Sequence, residues 1–186
     1  LDPKNPDRYM ERLAYYSERH EFDKAIADAT AQISLGQTQR LMVRAQLQMY
    51  MQRFSDAMSD LDKLVTSTEF TSKSSGVDRA IAYGMRGFCL MSANQIDKAI
   101  NDYSKAITGF DNKTLRQLRG NAFVQMKQYE LAIQDYSYAL KDSADDVATL
   151  YLRATAYDLN GQPKQALADR TDAAFYSAGL KKPKKN

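Results

Sequence analysis

The sequence predicts an all-α fold, a solenoid of antiparallel helix hairpins, on three observations. Gly and Pro are sparse, at 8 and 4 of 186 residues, and Trp is absent; so few turn-formers suit long helices better than many short strands. Arg recurs at 12, 44, 86, 119 and 153, followed in register by Ala25, Ala57, Ala99, Ala132 and Ala166 and by Asp28, Asp60, Asp102, Asp135 and Asp169. Self-similarity at a period near 34 residues marks a repeat architecture. Within each period the apolar residues recur at helical spacing, as Leu115, Leu118 and Val124 do before a short break, and Leu131, Ile133, Tyr136 and Ala139 after it. Breaks of two or three residues, such as Gln52-Arg53, make the flanking helices antiparallel neighbours.

The elements follow in order along the chain. Residues 1–5 read as a connector from a possible upstream unit. Unit one spans 6–37 and unit two 38–67, and 68–77 is an inserted loop, polar apart from Phe70. That insertion reads as a solvated excursion or as a lid-like binding loop, since long loops often carry function. Units three, four and five span 78–112, 113–146 and 147–180, the last with a terminal cap, and 181–186 is a disordered basic tail. The second helix of each unit opens at Phe22, Phe54, Ile96, Tyr129 or Pro163. Proline suits a first helical turn, where its missing N–H is not needed. Gly87 and Gly120, each directly after its Arg, allow close approach of the paired helices near Ala99 and Ala132.

Composition excludes several function classes. One Cys and one His cannot form a disulfide or a Cys/His zinc site within one chain. The net charge is +3, and the Lys-rich tail supplies four positive charges, so the body of the fold is not a basic nucleic-acid binder. No apolar run approaches the length of a membrane span. His20 and Cys89 stand two units apart, no phosphate-cradling glycine loop occurs, and the carboxylates follow helix surfaces and the Asp register. No catalytic, metal or cofactor site is therefore expected, and the chain is not expected to be an enzyme. Leu1 is not an initiating Met, so an export signal and hence a compartment cannot be read.

Segments such as Leu118-Arg119-Gly120-Asn121-Ala122-Phe123, Tyr129-Glu130-Leu131-Ala132 and Met85-Arg86-Gly87-Phe88 resemble the tetratricopeptide repeat. The resemblance covers about residues 6–180. Units three to five fit it well, whereas unit two carries Gln48 where the family has an aromatic, and units one and two carry Gln32 and Leu64 where it has Ala. It implies a right-handed superhelix that binds protein partners on a concave face formed by the first helices. The corresponding places hold Met10, Met42, Gln46, Met49, Tyr50, Met85, Phe88, Met91, Gln117, Asn121, Gln125 and Tyr151. Two readings stand for these residues: gap-filling between first helices, or an adaptable Met-rich groove for a partner peptide or helix. The Lys and Arg of the acidic-tail clamp found in one subclass are missing; of its residues, Asn121 alone has a counterpart.

The five Arg and five Asp are expected to form a ladder of structural ion pairs, Arg12–Asp28, Arg44–Asp60, Arg86–Asp102, Arg119–Asp135 and Arg153–Asp169. An anion-binding stripe would not need the Asp residues. The expected function is a protein-interaction scaffold. Alternatives are self-association as part of a longer array and, more weakly, contact of the Lys-rich tail with nucleic acid or an anionic membrane.

Overall fold

A computed structural model describes residues 5–180 of the chain. Among the described residues there are eleven helices and no strand. The basic tail at 181–186 and most of the expected connector lie outside them. The chain divides into two compact units, 1–95 and 96–186. The first holds α1 (Pro6–Glu18), α2 (Phe22–Ser34), α3 (Arg40–Tyr50), α4 (Phe54–Thr66), α5 (Thr68–Lys73) and α6 (Gly76–Ser92). The second holds α7 (Ile96–Gly109), α8 (Lys113–Gln125), α9 (Tyr129–Ala139), α10 (Val147–Leu159) and α11 (Pro163–Ser177).

In the first unit α1 packs on α2, α2 on α3, α3 on α4 and α4 on α6; in the second α7 packs on α8, α8 on α9, α9 on α10 and α10 on α11. Each helix thus covers its sequence neighbour, which is the repeat-stacking order of a helix-hairpin solenoid.

One backbone device ends all five first helices. The residue after the cap takes a left-handed conformation, at His20, Gln52, Asn94, Lys127 and Gly161, with φ between 57° and 71°. The following N–H reaches back across the last turn, from Glu21 to the Tyr16 carbonyl at 2.9 Å and from Gln128 to that of Phe123 at 2.9 Å. This is the Schellman arrangement, which satisfies carbonyls that the helix end would leave unpaired. Glycine is the residue usually found there because it lacks the Cβ clash, yet four of the five positions are not glycine. First helices mostly begin with a side-chain cap: Asn5, Asn112 and Asp146 accept from backbone N–H groups, and Ser75 forms a reciprocal capping box with Asp78. The second helices α2, α4, α9 and α11 lack such a cap. They start directly out of the Schellman turn, so chain reversal and helix start share the same few residues.

The hairpin core is made of small residues. Ala25, Ala45, Ala57, Ala132, Ala154 and Ala166 are wholly buried. Gly120 has a partner that sequence reasoning placed differently: the Tyr136 ring, rather than Ala132, lies against it. A Cβ at Gly120 would stand 2.6 Å from Tyr136 Cε1. Tyr136 is buried, packs with Ala132 and Ala156, and donates its hydroxyl to Asn121 Oδ1 at 2.6 Å.

The segment 68–77, expected as an inserted loop, is instead mostly helical. Ser67 caps α5 by accepting from the Phe70 N–H, and Lys73 pairs with Glu69 one turn back at 3.1 Å. Phe70 is half-buried against a cluster of Leu41, Leu64, Val65 and Ala82. That packing explains the helix: a single apolar anchor on α3, α4 and α6 outweighs the low helix propensity of the Ser/Thr run.

Candidate functional site

Two sets of side chains in this fold hold chemistry beyond simple packing. The first is a trough in unit one. Gln46 and Tyr50 on α3 line two adjacent apolar cavities at once. One, of about 520 Å³, is closed by Ser17, His20, Phe22, Val43 and Leu47. The other, of about 620 Å³, is closed by Met49, Phe54, Ile81, Met85 and Phe88. Both volumes fall in the range of ligand sites, roughly 300–1,000 Å³.

Aromatic rings brace the trough. Phe22 and Tyr50 stack with centroids 5.9 Å apart and planes 9° apart. Phe54 and Phe88 meet edge to face at 5.8 Å, and His20 meets Phe22 the same way at 5.5 Å. Tyr50 is nevertheless 66% exposed, Ile81 45% and Phe88 41%. Large apolar side chains are thus held in place while open to water.

The expected groove residues of unit one divide into two kinds. Gln46, Tyr50 and Phe88 are exposed in the trough. Met49 and Met85 line it with one side and pack with the other against buried Ala45, Ala57, Leu61 and Cys89. Met42 packs against the cluster around Leu41 and Val65. Met10, exposed on α1, places its sulfur 3.2 Å from Arg40 Nη2, and Met91 is half-buried near the end of α6. In unit two, Gln117 donates to Thr149 Oγ1 and, at 3.3 Å, to Asp146 Oδ2. Asn121 is taken up by the Tyr136 hydroxyl. Both amides therefore hold helices together, while Gln125 and Tyr151 stay exposed. Phe22, Phe54 and Ile81 were not assigned to the groove from sequence. Phe22 and Phe54 were visible as recurrent openers of second helices, and nothing in the pattern said that they turn toward the first helices.

The second set is the arginine register. Arg44 grips Asp60 with Nε at 2.7 Å and Nη2 at 2.6 Å. Arg119 grips Asp135 at 2.7 Å through both nitrogens, and Arg153 grips Asp169 likewise. Arg12 Nε lies 2.9 Å from Asp28 Oδ2, and its Nη2 also reaches that carboxylate. These are bidentate, charge-assisted contacts on buried carboxylates. Hydrogen bonding to the partner carboxylate raises the pKa of Arg12, Arg44 and Arg153 further, so these charges are fixed. Arg86 lies in the first unit and Asp102 in the second; within its own unit Arg86 Nη1 meets Asp62 Oδ1 at 2.9 Å.

Each of these arginines from Arg44 onward spends its remaining arm on the helix that precedes it. Arg44 Nη1 donates to Thr30 at 2.9 Å, Arg119 Nη1 to Ser104 at 3.0 Å, and Arg153 Nη1 to Ser137 at 3.1 Å. With Asp62, these acceptors all stand two residues after the repeat's Asp. One guanidinium thus joins three helices. The second acceptor was in the sequence as a polar residue at a constant offset from each Asp.

Burial raises the Cys89 thiol to about 11, so it is no nucleophile at neutral pH. Among the described residues no group of three His, Cys, Asp or Glu could hold a metal ion. Among them, too, no helix is long and apolar enough to cross a membrane.

Stacked helix hairpins, with small residues at the crossing points and a conjoining arginine, define an all-helical repeat protein. Residues 80–108 match the family model described as Tetratricopeptide repeat. The chain is similar to a solved structure described as "Crystal structure of MamA protein", at 17% identity with TM-score 0.83, covering 97% of this chain and 98% of that one. It is similar to MamA from Desulfovibrio magneticus RS-1, at 12% identity with TM-score 0.84, covering 95% and 97%. It is also similar to YrrB, described as "a TPR protein with an unusual peptide-binding site", at 13% identity with TM-score 0.78, covering 94% and 88%. No curated protein matches the chain. At these identities the likeness is one of fold.

Proposed function

We propose that the chain is a non-enzymatic interaction scaffold that captures an amphipathic helix of a partner protein in the trough of its first unit. The tetratricopeptide fold supports the general reading, a protein-interaction scaffold, and the peptide-binding site of YrrB, a neighbour in fold, agrees with it. The observation that carries the finer one is the pair of apolar cavities sharing Gln46 and Tyr50.

The partner's geometry follows from that pair. Adjacent packed helices stand roughly 8–10 Å apart, so two anchors seated on either side of Tyr50 are separated by about that distance. On a helix rising ~1.5 Å per residue, side chains at i and i+7 are ~10.5 Å apart on one face. Tyr50 would pack between the anchors, and the exposed Gln46 amide would meet polar groups beside them. Few charges line the trough, so binding should respond weakly to salt, unlike a phosphate-dominated contact.

The test is selection from a displayed library of amphipathic helical peptides. Enrichment of apolar pairs at i and i+7, lost with Tyr50→Ala and Phe88→Ala, is expected. These two positions are exposed, so the variants keep the fold; replacing Met49 or Met85 would disturb the core. Enrichment that survives both substitutions places binding elsewhere.

A further inference from the structure

The arginine register has an acceptor, Thr171, that no arginine among the described residues uses. Along α9 and its C-cap, Ile133, Ser137 and Leu140 form the face on which α10 sits: Ile133 packs in the cluster containing Ala156, Ser137 accepts from Arg153, and Leu140 packs on Leu150. At the same offsets from its own Asp169, α11 carries Leu167, Thr171 and Ala174. All three are exposed, Leu167 by 65%. The Thr171 hydroxyl donates to the Leu167 carbonyl, which leaves the oxygen with capacity to accept. Arg170 stands where Tyr136 stands in α9, but that position faces the hairpin partner, as Tyr136 faces Gly120. The polar change at 170 therefore leaves the outer face of α11 intact as a seat.

The complementary part is at the other end. Arg12 holds Asp28 through Nε and Nη2, as its counterparts do, but no described residue accepts from its Nη1. Its side chain is 42% exposed, against 16% for Arg44, 18% for Arg119 and 21% for Arg153.

We propose that the α11 face of one copy seats the α1 face of a second copy, with Arg12 donating to Thr171 and Leu167 covered by α1. The contact repeats, between chains, the stacking that joins successive hairpins within each unit. It uses different surfaces on the two copies, so it is head-to-tail and grows into chains or rings. The inference is independent of the trough.

Sedimentation over a micromolar-to-millimolar series of the whole chain reads it out. Association that rises with concentration is expected, and a strict monomer throughout overturns the proposal. Leu167→Glu, at a position already in water, should weaken association by at least about tenfold, because burial of that side chain is lost. Thr171→Arg should abolish it by setting two guanidinium groups face to face. Thr171→Asp should tighten it, by up to about fivefold at low salt, since a carboxylate at this place already serves Arg86 as Asp62. Arg12→Lys keeps a charge for Asp28 but cannot bridge two helices with one ammonium. A mixture of Arg12→Lys with Leu167→Glu should form a pair that stops at two copies, each variant alone remaining largely monomeric. Failure of the mixture to pair, or association indifferent to Leu167 and Thr171, refutes the head-to-tail contact.

Discussion

Asp135→Ala is the sharpest test of the arginine register. Asp135 is 2% exposed and accepts from Arg119 twice at 2.7 Å and from Arg116 Nη1 at 3.0 Å. Removing it strands two cations, and breaking a buried pair from one side costs about 3–5 kcal/mol. Two features of the site pull the value to the low end. Arg119 keeps Ser104 at 3.0 Å, and Arg116 keeps Asp111 at 2.6 Å. Both guanidiniums also retain some water, at 18% and 19% exposure. The expected loss is about 3 kcal/mol, or a melting midpoint lower by about 6–12 °C for a chain of this size. Urea unfolding followed by circular dichroism measures it, with the slope checked because stacked repeats can lose two-state behaviour. The double change Arg119→Met with Asp135→Leu removes both charges and should recover more than half of the loss. A single-variant loss below about 0.5 kcal/mol would show that the pair is an ordinary surface contact and refute the reasoning.

Four further outcomes are expected. Gly120→Ala sets a methyl against the Tyr136 ring and should cost about 1–2 kcal/mol, overpacking outweighing the gain in helix propensity; a stabilised variant would contradict the close approach. Lys127→Gly relieves a left-handed non-glycine residue at φ 58° and should raise stability by about 1 kcal/mol in urea titration. Gln48→Leu replaces a side chain whose buried Oε1 has no hydrogen-bond partner among the described residues, and should stabilise by about 1–2 kcal/mol; a loss of stability would mean that the amide is satisfied in solution. Tyr136 has its pKa raised by burial, so the neutral form is the folded one: its contribution is intact below the unfolded value near ~10 and drains away as pH rises beyond it. An alkaline unfolding titration, compared with that of Tyr136→Phe, should show the native curve falling more steeply.

The fold was legible because it repeats. A single Arg–Ala–Asp triplet would carry no weight, and five in register mark an all-helical repeat fold. The departures occur where the period is interrupted. Between α4 and α6 a run of Ser and Thr reads as a loop by propensity, and Phe70 makes it a helix by packing. The trough was half legible. First-helix places pointed to Gln46, Tyr50 and Phe88, but a period says which residues share a face, not how deeply each is sunk. Met42, Met49 and Met85 turned out to be shared with the core for that reason. Gln117 and Asn121, polar and at first-helix places, are bound to Thr149 and Tyr136, partners on other helices that no local pattern predicts.

Because Arg44, Arg119 and Arg153 each clasp their own hairpin and the helix before it, loosening one hairpin weakens its neighbour's hold within the same unit as well. Within each unit, melting should therefore propagate from one hairpin to the next. Arg12 makes one of its two clasps among the described residues, so α1 and α2 should exchange their amide protons soonest within the first unit. Anything that latches onto the outer face of α1 would slow exchange beyond the residues it touches.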